Sequence, residues 1–154
     1  MSGTSASSRP LSAALVGTWE LVSREDRTPA GERRVDPALG ADPIAVLYYD
    51  RAGHFAAQFM RRERGVSLEP EPAQAGPNNT RARGGYDAYF GTYAVDDANG
   101  TVTQVMVGAL SPENVGHRLT RAMTVAGDEL TIRLETASTT GEPIFRTLLW
   151  RRVG

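Results

Sequence analysis

The sequence predicts an all-β protein: an eight-stranded antiparallel up-and-down β-barrel led by a short helical turn. Three observations carry that expectation. Short runs of β-branched, aromatic or alternating residues recur along the 154-residue chain. Most are joined by brief reversals that contain glycine. No long segment of 3.6-residue apolar period stands between them, which disfavours strand–helix–strand architectures. Closing eight consecutive strands on themselves also removes exposed sheet edges. A two-sheet sandwich is the alternative.

In chain order, residues 1–10 read as a flexible, serine-rich tail, and 11–154 as one domain. Leu11–Val16 suits a single helical turn, and Thr18–Ser23 alternates as a first strand. Residues 28–43 hold Pro29, Gly31, Pro37, Gly40 and Pro43 and read as a long loop. Ile44–Tyr49 and His54–Arg61 flank Asp50-Arg51-Ala52-Gly53, a hairpin pattern. Residues 62–85 are rich in proline and read as a loop or lid, with a short helix near 81–90. Gly91–Val95 and Thr101–Leu110 flank Asn99-Gly100, a strong hairpin signal. His117–Val125 and Glu129–Thr136 flank Ala126-Gly127-Asp128, and Ile144–Val153 ends the series.

Composition narrows the chemistry. All 17 basic residues are arginine and cysteine is absent. That excludes lysine Schiff bases, thiolate nucleophiles, disulfides and cysteine-ligated metals. A net charge of -1 gives no reason to expect nucleic acid, even with Arg61, Arg62 and Arg64 clustered. No stretch is apolar enough for a membrane span, no targeting segment stands out, and the expected setting is the cytoplasm. No cofactor and no metal are expected; a homodimer remains open.

Gly17-Thr18-Trp19, preceded by a helical turn, resembles the start of lipocalin-type barrels. Gly53–Gln58, Tyr89–Tyr93 and Leu149–Arg152 extend the likeness. Together they resemble the bacterial and fungal lipocalin-like domain family over about residues 12–153. The resemblance implies a small calycin-like barrel with a ligand cavity. It also implies that Trp19 plugs one end, with an arginine of the last strand, Arg151 or Arg152, packed over its ring.

Period-two phasing nominates the cavity lining. Arg121 shares a face with Leu119, Met123 and Val125, and must find an acid, carbonyls, water or an anionic ligand if it lies inside. Its alternative is an internal ion pair or a place near solvent. Gln104 is in phase with Val102 and Met106, and Arg146 with Ile144, Leu148 and Trp150. The strand at 54–61 offers either Phe55, Ala57 and Phe59 or His54, Ala56, Gln58 and Met60. Of Tyr48 and Tyr49 one points inward; Tyr48 is carried as the candidate. Tyr86 and Tyr89 gather near the expected mouth. His54, His117 and Tyr89 are the catalytic candidates, with no spacing that sets a mechanism.

The leading expectation is a barrel that binds a small apolar or amphipathic molecule. The alternatives are a non-covalent isomerase or cyclase of a polyketide-like intermediate, and a structural barrel filled by its own side chains. A cavity larger than about 100 Å³ separates the ligand readings from the filled barrel.

Overall fold

Apolar residues at every second position bury one face of each strand, and that periodicity builds the observed sheet. The structure, a computed structural model, describes residues 9–64, 78–80, 82–138 and 140–154. Helix α1 (Leu11–Ala14) leads into β1 (Gly17–Arg27), β2 (Arg33–Arg34), β3 (Ile44–Tyr49) and β4 (His54–Met60). Then follow β5 (Tyr86–Asp96), β6 (Thr101–Ala109), β7 (Arg118–Ala126), β8 (Glu129–Ala137) and β9 (Pro143–Arg152). Antiparallel pairing runs β1-β3-β4-β5-β6-β7-β8-β9 and returns from β9 to β1, so eight long strands form a closed barrel.

The two-residue β2 lies within the stretch expected to be loop and pairs only with the end of β1. A larger correction concerns β5. The helix expected near 81–90 is replaced by strand from Tyr86 onward, beyond the expected Gly91–Val95. β4 offers pairing partners from Met60 to His54, and Tyr86–Thr92 occupies them all. The loop-or-lid expectation for 62–85 falls largely on 65–77 and 81, outside the described residues, as does the tail over 1–8.

A bulge between Leu21 and Ser23 changes the phase of β1. Trp19 is buried before it, and Arg24 and Asp26 are buried after it. The barrel core collects Trp19, Leu47, Phe55, Phe59, Leu130 and Trp150 among others. Two glycines are required by geometry. Gly17 has φ +148, and a side chain there would meet Arg152 Nη1 at 2.5 Å. At Gly91 a Cβ would collide with the Val105 carbonyl on β6.

Of the two arginines considered for Trp19, Arg152 is the one that covers it, with Cζ 4.3 Å from the ring centroid. Arg152 also donates to the Val16 carbonyl at 2.7 Å and the Ala14 carbonyl at 2.5 Å. It therefore fastens α1 over the end of the barrel. Trp19 Nε1 donates to Leu15 O at 3.0 Å, which fixes the ring's orientation. Arg151 instead faces solvent and pairs with Glu20 at 3.4 Å. Arg152→Met is expected to lower stability by about 2 kcal/mol through loss of the cation–π contact and the carbonyl bonds. Arg151→Met is expected to be nearly neutral; equal midpoints for the two variants in urea unfolding would contradict this assignment.

Candidate functional site

The end of the barrel away from Trp19 gathers buried charge. Arg24 and Asp26 from β1 meet Arg146 from β9, because the β1 bulge turns both inward. Asp26 accepts from Arg146 Nε at 2.9 Å and Nη2 at 3.2 Å. It also accepts from Arg24 Nη2 at 3.1 Å, and Arg24 bonds Asp36 at 3.1 Å. Burial pushes the Asp26 carboxyl up, but Arg24 and Arg146 outweigh it, and its pKa falls below the ordinary value. Burial and the neighbouring Arg24 lower Arg146, against the pull of Asp26.

Beyond this network lies an interior cavity of about 60 Å³, lined by Tyr49, Phe59, Asp87, Tyr89, Gln104, Arg121, Ile132 and Trp150 among others. A groove of about 330 Å³ adjoins it at the mouth and shares Asp36, Asn79 and Arg146 with it. The interior falls below the 100 Å³ expected of a ligand-holding barrel. It has room for about two water-sized volumes of roughly 30 Å³ each. The groove exceeds the threshold, so a larger ligand that reaches Arg121 must extend into it.

Arg121 lies inside, as its phase predicts, and is 8% exposed. Among the described residues its hydrogen-bond partner is a neutral amide: Nη1 donates to Asn78 Oδ1 at 2.6 Å. No carboxylate contacts it among those residues. Burial lowers its pKa to about 10, which leaves it charged at neutral pH. Gln104 stands beside it on β6 and accepts the Tyr49 hydroxyl through Oε1. Burial raises the Tyr49 hydroxyl well above its ordinary pKa, and carries that of Tyr89 to about 12. Both phenols therefore remain neutral donors.

Asp87 is one of the residues that sequence reasoning missed, with Arg24, Asp36, Asn79 and Thr80. Asp87 is 2% exposed, and its Oδ2 accepts the Thr80 hydroxyl at 2.6 Å. Its Oδ1 is buried and has no hydrogen-bond partner among the described residues. Burial pushes the carboxyl up to about 7, against the Thr80 hydroxyl and the Ala88 N–H. The segment 78–80 touches three buried charges in turn: Asn78 holds Arg121, Asn79 holds Arg146 at 2.9 Å, and Thr80 holds Asp87. Asn78 adopts φ 60, and its amide also pairs with both backbone groups of Thr120.

Several expected lining residues lie elsewhere. On β4 the inward face is Phe55, Ala57 and Phe59, so His54 and Gln58 are exposed. Burying two aromatic rings removes more apolar area from water than burying an imidazole and an amide. On β3 the inward ring is Tyr49, against Phe55 and Tyr93, and Tyr48 faces outward. Tyr86 is also outside, where its hydroxyl bonds Gln58 at 2.6 Å and Arg64 covers its ring. His117 precedes β7 and is exposed. Met106 and Met123 are buried in the expected phase but do not line the cavity. Gln104, Arg121, Tyr89 and Arg146 do line it. Among the described residues there is no group of three or more residues suited to a metal, and no helix long and apolar enough to cross a membrane.

A closed eight-stranded meander, a buried tryptophan under an arginine of the last strand and a charged interior together define a lipocalin-type barrel. The chain belongs to the lipocalin-like domain family, whose model matches residues 16–153. Among solved structures it is similar to the crystal structure of Rv2717c from M. tuberculosis, at 16% identity and a TM-score of 0.39. That comparison covers 96% of this chain and 99% of the other. No curated protein matches.

Proposed function

We propose that the barrel binds a small amphipathic acid. Its anionic head enters the interior and pairs with Arg121, while the remainder lies in the mouth groove. The observation that carries this reading is a buried guanidinium whose partner among the described residues is an amide oxygen rather than a carboxylate. A charge in that setting is best stabilised by an anion from outside the chain. The groove supplies apolar contact from Val35, Pro37, Ala137 and Ile144. A cytoplasmic setting belongs to the same proposal, supported by the cysteine-free composition.

Arg121→Met is expected to weaken binding of hexanoate about 10- to 100-fold, the worth of a hydrogen bond to a charged group. Titration can be followed through the fluorescence of Trp150, which lines the cavity. Equal affinity in the variant, with folding intact, would sink the role of Arg121. Native mass spectrometry of freshly purified protein provides the complementary search for a bound acid.

The small interior favours a second reading, a barrel filled by its own side chains. That reading predicts no saturable binding of short acids at all. An isomerase or cyclase reading draws on Asp87, whose carboxyl is suited to proton exchange near neutral pH.

A further inference from the structure

We infer that the acid bound by this barrel is a hydroxy acid, whose hydroxyl donates to Asp87 while its carboxylate engages Arg121. The inference rests on the reading of Arg121 above and adds a second point of recognition. The two residues line one cavity, Asp87 from β5 and Arg121 from β7. Asn78 bonds Arg121 and Thr80, two residues on, bonds Asp87, so one short segment reaches both charges.

Their hydrogen-bonding needs are opposite. A guanidinium has only donors and calls for acceptors, whereas a carboxylate has only acceptors and calls for a donor. Asp87 lines the cavity, and its Oδ1 is buried and receives no hydrogen bond among the described residues. An acid without a second polar group would leave that oxygen buried and unpaired, which is unfavourable.

The chain's own segment 78–80 already displays the matching pattern. It presents an amide oxygen to Arg121 and a hydroxyl to Asp87, each at 2.6 Å. An acceptor and a hydroxyl donor are thus the groups this protein itself sets against the two charges. The hydroxyl of a ligand would serve Oδ1 as the Thr80 hydroxyl serves Oδ2. The interior admits only a compact head, so the polar groups must lie near one end of the molecule, with the tail in the groove. A 3-hydroxy acid of short chain meets these demands.

The test is a titration at pH 8 with 3-hydroxyhexanoate, hexanoate and hexanol, on the wild type, Asp87→Ala and Asp87→Asn. The wild type is expected to bind 3-hydroxyhexanoate at least tenfold more tightly than hexanoate. Asp87→Ala should abolish that preference. Asp87→Asn preserves the side-chain shape if the alanine variant fails to fold. Its oxygen stays with Thr80, so an amide nitrogen, a donor, replaces Oδ1 and the preference is again lost. Equal binding of the two acids by the wild type, or a preference that survives both substitutions, would overturn the inference and leave Arg121 standing. Hexanol binding as tightly as hexanoate, or no binding of either acid, would overturn the Arg121 reading and this inference with it.

Discussion

Asp26→Ala is expected to destabilise the barrel by about 3–5 kcal/mol, the range for removing one partner from a buried ion network. Asp26 is the only carboxylate among the described residues that bonds both Arg24 and Arg146. Without it, Arg24 retains Asp36, but Arg146 is left with the neutral Asn79. All three members of the Arg24–Asp26–Arg146 network are under 9% exposed, so water can do little to compensate. In a chain of this size the loss corresponds to a fall in Tm of about 6–20 °C. Asp26→Asn, which keeps the shape and two polar atoms, should fall between the wild type and the alanine variant. A change below about 1 kcal/mol for Asp26→Ala would mean that solvent or other groups neutralise the arginines.

The second large effect depends on pH and belongs to Asp87. Its folded-state pKa of about 7 stands above the ordinary 3.8. The folded chain therefore holds this proton more tightly than the unfolded chain. The associated stability is fully present below about pH 4 and is lost as pH rises through about 7. A shift of this size corresponds to a contribution on the order of 4 kcal/mol. Asp26, Asp50 and Asp96 have depressed pKa values and act oppositely, losing their contribution as pH falls through the acid range. The difference between wild type and Asp87→Asn isolates the Asp87 term. The variant should gain on the wild type between pH 4 and pH 8 and show no further gain below pH 4. Parallel stability curves across that range would show that Asp87 ionises normally.

The barrel was legible because strand periodicity survives through most of each long strand after the first hairpin, even with a bulge in the β5–β6 pairing. Arg121 was legible for the same reason: Leu119 and Met123 on either side fix its phase, and no bulge intervenes in β7. The acidic half of the site was not. Arg24 and Asp26 lie beyond the β1 bulge, and one inserted residue reverses which face is inside. Without pairing partners nothing in Val22-Ser23-Arg24 marks that insertion. Asp87 was hidden by a different ambiguity. Tyr86-Asp87-Ala88-Tyr89-Phe90 mixes aromatics with residues common in helices, and its strand character comes from pairing with β4. Alternation of Asp87, Tyr89 and Gly91 was the available signal. At Tyr48 and Tyr49 the sequence offers two equal side chains, and only the packing of Tyr49 against Phe55 and Tyr93 decides between them.

The closure of β1 on β9 has a kinetic consequence. Most neighbouring strands meet through reversals of a few residues, whereas Asp26 and Arg146 lie 120 positions apart. Loop-closure entropy opposes that pairing until the intervening meander has formed, so the seam assembles late in folding. Contacts absent from the transition state act mainly on the rate of opening. Loss of Asp26 should therefore steepen escape from the native state while leaving refolding nearly as fast as before. The ion network across the seam then works as a latch, and it sets how long a closed barrel lasts.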